Sequence, residues 1–403
     1  MQKSLDQKLA AIHADPHGCR EFILADAKDA DMAFGIGAPG LSPERHDGEL
    51  KYKTLAEYRD QIRQIIRQGA VDIVLMSTST SEQLTIREKM FENSHVTPAT
   101  RANDATDVHI PRGGKVHLEA ARPFRTASID HMQCGHLDCN DNERSIGSSL
   151  GLYSVTFNNQ LETDLETLKT YNEFRAEAER KGFRHFLEVF NPNLPNAVSP
   201  EQTPQFINDV IARTLAGVAS AGRPTFLKIV YQGPQAMEEL VRFDPHLIVG
   251  ILGGSAGTTY DAFKMLAEAQ KYGGKVALYG RKINNAENQL AFIEFLRHIV
   301  DGTISPEEAV RAYHAVLAKL NVKPHRSLEE DMTLQTNVMS YAGSGKTISI
   351  PTPSQPQASK KPQASKIESA NKPSPPNSAP DFSKMSSDER LAYHRERLNR
   401  SLG

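Results

Sequence analysis

Short apolar runs alternate with longer amphipathic stretches from the first residues to about position 300. Eight runs have the length and flanking breakers of strands: Phe22–Asp26, Asp72–Ser77, Val96–Asn103, Gly151–Asn158, Arg184–Phe190, Thr225–Tyr231, Leu247–Leu252 and Lys275–Gly280. Between most of them lie segments with helical spacing of apolar positions: Leu55–Gln68, Glu82–Phe91, Asp164–Lys181, Thr203–Ala221, Ala236–Arg242 and Thr258–Tyr272. A further helix, Asn288–Val300, is predicted after the last strand. Gly69, Gly182, Gly222 and the pair Gly273 and Gly274 each stop a predicted helix just before a strand. Regular alternation of this kind implies a parallel sheet. Eight strands with a closing helix favour an α/β fold of the (β/α)8 barrel type over an open doubly wound sheet.

The alternation breaks between Asn103 and Gly151, a span too long for a simple turn and holding another possible strand at Arg125–Asp130. It reads as an insertion of about residues 105–149 over the barrel mouth, within a barrel domain of residues 1–342. From Gly343 the composition changes. Residues 343–383 are rich in Ser, Pro, Lys, Gln and Ala, too poor in apolar side chains to offset their ordering entropy, so a disordered linker is expected. Beyond it, Ser386 to Glu389 has the spacing of a capping box. Leu391, Leu398 and Leu402 then share one helical face, with Arg390, Arg397 and Arg400 largely off it, so residues 384–403 read as a short amphipathic helix.

Composition narrows the class of function. With 39% hydrophobic and 24% charged residues, the 403-residue chain can bury a sizeable core, and its net charge of −2 gives no reason to expect nucleic acid or membrane as a partner. No stretch approaches the roughly 18 apolar residues of a membrane span, and the first residues lack the apolar run of a secretory signal. A soluble, cytoplasmic protein is expected. The three cysteines, Cys19, Cys134 and Cys139, do not suggest a disulfide framework. His131, Cys134, His136 and Cys139 could bind zinc, but their spacing matches no standard site, and a polar loop with incidental thiols is the favoured reading.

In such barrels the chemistry sits at the C-terminal ends of the strands, and phosphate commonly binds after strands seven and eight. The seventh strand runs into Gly253, Gly254, Ser255, Ala256 and Gly257 before a helix, whose first amides could also donate to an anion. The eighth ends in Gly280 and Arg281, a bare backbone position and a cation with a phosphate-matching fork. Lys228 lies within the apolar run Phe226 to Tyr231 and is expected to point into the barrel, where removal from water favours the neutral, nucleophilic amine. Glu188 holds a similar place in the preceding strand, either as the lysine's ion-pair partner or as a proton shuttle. Asp26 ends the first strand within an acidic cluster with Asp29 and Asp31. It is the best candidate there for a catalytic or substrate-hydroxyl contact, though the three acids could instead hold Mg²⁺ or serve as turn caps.

The stretches Phe186 to Glu188, Phe226 to Lys228, Gly253 to Gly257 and Tyr279 to Ile283, in this order and spacing, resemble the class I, Schiff-base aldolases of the archaeal-type fructose-bisphosphate and tagatose-bisphosphate kind, with deoxyribose-phosphate aldolase more distant. The resemblance implies that Lys228 forms an iminium with a ketose or ketone donor. It further implies Glu188 as the acid/base, Asp26 as the first-strand acid, and Gly253, Gly254, Ser255, Gly280 and Arg281 as the holders of a sugar phosphate. No metal or organic cofactor is then required, and a homo-oligomer is expected. The sequence departs from the pattern at the fourth strand, which lacks a lysine found in some relatives, and at Phe190, where archaeal-type enzymes have a tyrosine nearby. The alternatives are a non-catalytic barrel acting as a scaffold or phosphate-ligand binder, and another Schiff-base synthase such as an aminoheptulosonate-type condensing enzyme. The tail resembles the encapsulation peptides of bacterial microcompartments, implying a shell or scaffold protein as partner for residues 384–403.

Overall fold

The computed structural model describes residues 1–40, 52–254 and 257–335. The expected linker, the terminal helix and the candidate phosphate residue Ser255 lie outside the described residues. Of the two units into which the chain divides, the first comprises residues 1–40 and 54–348, and almost nothing of the second, 41–53 and 349–403, is described.

Eight parallel strands close a barrel: β1 (Ile23–Lys28), β2 (Ile73–Met76), β3 (Thr97–Arg101), β4 (Leu150–Thr156), β5 (Arg184–Phe190), β6 (Leu227–Ile229), β7 (Val249–Leu252) and β8 (Val276–Tyr279), with β8 pairing back onto β1. The fold is the expected (β/α)8 barrel. Helix starts are set locally. At Leu55–Gln68, Thr54 and Glu57 form a reciprocal capping box, and Gly69 ends the helix in the left-handed region at φ 70°. No helix among the described residues is long and apolar enough to cross a membrane.

Strand residues divide by parity between two cores. Ile23, Ala25, Ala27, Ile73, Leu75, Leu152, Phe186, Phe226, Val276 and Leu278 fill the barrel interior. Their neighbours Leu24, Val74, Met76, Leu187, Val189, Leu227, Ile229 and Tyr279 pack outward with helix residues such as Tyr58, Ile62 and Phe263. The helix Ser4–Ala14 adds Leu5, Leu9 and Ile12 to the interior core and so closes its N-terminal end.

Between β3 and β4 the chain carries elements that are not part of the barrel sheet. Asp104–Ala105 and Pro123–Phe124 make a two-stranded antiparallel ribbon, and Ile129–Cys134 is helical where a strand had been considered. Ser128 caps that helix by accepting from the His131 amide. Cys134 and Cys139 are joined in a disulfide. The pairing of two thiols five residues apart was anticipated neither by the zinc reading nor by the incidental-thiol reading.

Candidate active site

The parity that fills the barrel also aims the polar residues at its mouth. Lys228 shares the inward parity of Phe226, and Glu188 that of Phe186, and the β5–β6 register sets the two side by side. Lys228 Nζ lies 2.6 Å from Glu188 Oε1, both groups buried. Below them the stacked rings of Phe186 and Phe226, with centroids 4.6 Å apart, form an apolar floor. The β4–β5 register places Ser154 opposite Glu188, and Ser154 Oγ donates to Glu188 Oε2 at 2.6 Å. Both carboxylate oxygens therefore have fixed partners.

A second charged group completes the lattice. Arg101, at the end of β3, donates from Nη1 to Asp29 Oδ2 at 2.7 Å and approaches Asp104 Oδ1 at 2.9 Å through Nε. Its Nη2 reaches Ser154 Oγ at 3.4 Å. Burial works against the charged guanidinium, but Asp104 and Asp29 outweigh it and push its pKa up. Asn103 fixes Ser154 from both sides, accepting from its amide at 2.6 Å and donating to its carbonyl at 2.8 Å. Asp29, Arg101, Glu188 and Lys228 share a cavity of about 100 Å³ with Gly253, Gly254, Gly280 and Arg281. Of the candidate site residues, only Asp26 and the undescribed Ser255 are missing from that lining.

Asp26 is a correction. β1 runs on to Lys28, which gives Asp26 the outward parity of Leu24 and turns it towards the helices. There it lies 3.3 Å from Lys28 Nζ, and Lys28 also donates to Asn284 and, at 2.9 Å, to Gln289. Burial raises Asp26 to about 6 and lowers Lys28. The acid that reaches the cavity from this segment is Asp29. Asp31 goes elsewhere, accepting from Ser77 Oγ at 2.6 Å, so the three acids do not converge on one ion.

The glycine turns are required by close approach. A Cβ on Gly253 would lie 2.2 Å from the Tyr279 ring, and one on Gly280 would lie 2.7 Å from the Ala27 carbonyl. Gly253 N already donates to Leu278 O at 2.8 Å. The expected use of the following helix start for an anion also changes, because its amides are occupied. Thr258 N donates to Asp261 Oδ2, and Thr259 N to Asp331 Oδ1, both at 2.7 Å. Gly254, Gly280 and Arg281 line the cavity, and the Arg281 guanidinium stacks 5.6 Å from the Phe34 ring centre.

The sequence alone marks no separate role for Arg101, Ser154 or Asp29. A lone arginine closing the predicted third strand, Thr97-Pro98-Ala99-Thr100-Arg101, was the available signal for the first. Nothing local marks Ser154.

No family model matches this sequence, and no curated protein does. Solved structures do. An archaeal fructose 1,6-bisphosphate aldolase is 15% identical with a TM-score of 0.51, over 74% of this chain and 100% of that one. A fructose-bisphosphate aldolase from Slackia heliotrinireducens is 12% identical with a TM-score of 0.55, over 77% and 91%. An archaeal fructose-1,6-bisphosphate aldolase whose catalytic lysine is covalently bound to the carbinolamine intermediate of its substrate is 16% identical with a TM-score of 0.50, over 74% and 99%. At these identities the likeness is one of fold. What this chain shares with them is the closed (β/α)8 barrel.

Proposed function

We propose that the protein is a class I aldolase, making or breaking a carbon–carbon bond of a phosphorylated ketose or deoxy-sugar through a Schiff base on Lys228. The observation that carries this reading is an inward-facing amine 2.6 Å from an inward-facing carboxylate, in one cavity with two glycine turns and Arg281. A solved aldolase with the same fold holds its substrate on a catalytic lysine.

The chemistry follows from the pair. Glu188 takes a proton from the Lys228 ammonium, and the freed amine adds to the donor carbonyl. Glu188 then returns a proton to the carbinolamine hydroxyl, which leaves as water. The resulting iminium withdraws electrons from the neighbouring carbon, so no metal is needed for carbanion stabilisation. Asp29, held by Arg101, is placed to accept a hydrogen bond from a substrate hydroxyl, the part first assigned to Asp26. Gly254, Gly280 and Arg281 hold the phosphate.

Borohydride reduction in the presence of candidate sugar phosphates, read by mass spectrometry, tests the proposal. A reduced adduct is expected on Lys228 and none in Lys228→Met. Absence of any adduct in the wild type would leave a binding barrel with a structural ion pair. Residues 384–403 are read as a targeting peptide for a shell or scaffold protein, on the leucine face of their sequence. A reporter fused to residues 343–403 should co-purify with such a protein from the native host, and a diffuse, partnerless reporter would end that reading.

A further inference from the structure

A carboxyl group can carry its proton on either oxygen, and only one oxygen of Glu188 faces the amine. Oε1 lies 2.6 Å from Lys228 Nζ, whereas Oε2 is turned to Ser154. A proton on Oε2 would be on the wrong side of the group to reach a carbinolamine formed on Lys228.

The hydrogen bonds around Ser154 have a direction. Arginine donates from every nitrogen and cannot accept. Arg101 Nε is held by the Asn103 carbonyl at 2.9 Å and Nη1 by Asp29 at 2.7 Å, and with the guanidinium so fixed Nη2 meets Ser154 Oγ at 3.4 Å. The hydroxyl therefore accepts from Arg101 and sends its own proton to Glu188 Oε2, 2.6 Å away. To accept a proton from Oε2 instead, it would have to turn its own proton away. Ser154 is fully buried, and its hydroxyl has no third partner among the described residues. A buried O–H without an acceptor is costly, so the acidic proton belongs on Oε1. The backbone at Ser154 is clamped independently of the hydroxyl, because Asn103 accepts from its amide at 2.6 Å and donates to its carbonyl at 2.8 Å.

Building on the aldolase reading, we propose that Ser154 is a positioning residue that confines the proton of Glu188 to Oε1, with Arg101 setting its direction. Oε1 takes a proton from the Lys228 ammonium. The freed nitrogen pair adds to the donor carbonyl carbon, and the carbonyl π electrons move to oxygen. Oε1 gives its proton to that alkoxide and takes one back from the nitrogen, which completes the carbinolamine. This proton then passes to the hydroxyl, the carbon–oxygen bond breaks, water leaves, and the nitrogen pair closes the iminium. Glu188 ends as the carboxylate it began as. Every transfer uses one oxygen, and the carboxyl never has to turn over.

Adduct formation with dihydroxyacetone phosphate, quenched by borohydride at timed intervals and read by mass spectrometry, tests the proposal. Ser154→Ala is expected to slow adduct formation at saturating donor about 10- to 100-fold, the range for a lost hydrogen bond to a charged group, with the half-saturating donor concentration within about threefold of wild type. A serine that acts only through Glu188 has little more to lose once that carboxylate is gone. In the Glu188→Gln background, Ser154→Ala should therefore change the remaining rate by less than about twofold. A Ser154→Ala rate within about threefold of wild type overturns the assignment. So does a loss that appears in the half-saturating concentration rather than in the rate, or one that is as large in the Glu188→Gln background, since either makes the serine a packing residue. A wild type that forms no adduct removes the aldolase reading and this inference with it, whereas an active wild type beside an unaffected Ser154→Ala removes the inference alone.

Discussion

Asp107, a buried carboxyl after β3 that accepts from Thr156 Oγ1 at 2.8 Å, ties stability to pH through its burial. Its carboxyl is raised from 3.8 to about 6 by desolvation, with Arg101 lowering it and Glu188 raising it among the weaker influences. The unfolded chain releases this proton near pH 4 and the native state near pH 6. Between those values the native state binds more protons, so the group's contribution to stability is intact below about pH 4 and is lost as pH rises through 6. Two pKa units set a ceiling of about 3 kcal/mol on that loss. Asp107→Asn keeps an acceptor for Thr156 and has no charge to bury. It is expected to melt roughly 2–6 °C above wild type at pH 8 and within about a degree of it at pH 4.5. Thermal melts at the two pH values check this, and an equal shift at both would show that packing, not ionisation, separates the proteins. Asp26 is raised in the same direction, so the comparison has to be made against wild type at each pH.

At the scale of elements, periodicity located all eight barrel strands, because each is a short apolar run between breakers. It did not say which side of a strand faces inward. In Phe22-Ile23-Leu24-Ala25-Asp26 both faces are buried, so no polar alternation distinguishes barrel from helix layer. Lys228 and Glu188 fell on the inward parity, while Asp26 fell on the outward one, where a charge survives only because Lys28 is buried beside it. The cavity's glycine turns were legible because glycine is needed where chains approach closely. The occupied helix start was not, since Asp331 reaches Thr259 across 72 residues of sequence. The insertion was visible as a break in rhythm, but what fixes it is distant: Asn193, just past β5, donates to the carbonyls of His117 and Glu119 and accepts from the Ala121 amide.

Across the whole molecule, the two ends of the barrel carry different burdens. Polar chemistry gathers at the C-terminal ends of the strands, and the opposite end is sealed by an apolar plug. The helix Ser4–Ala14 is held there by the Ser4 amide on the His95 carbonyl at 3.0 Å and by Lys3 Nζ on the carbonyls of Phe91, Ser94 and Val96. Leu5, fully buried, joins the interior core from below. Leu5→Ala removes three carbons from a site that cannot easily collapse, and should cost about 2–4 kcal/mol in chemical denaturation. The lesion is separated from Lys228 by the apolar interior that Phe186 and Phe226 cap, so borohydride trapping well below the melting temperature should give the wild-type yield per folded molecule. A trapping yield that falls together with stability would mean the plug also sets the geometry of the amine, and stability and chemistry would then not be assigned to separate ends of this barrel.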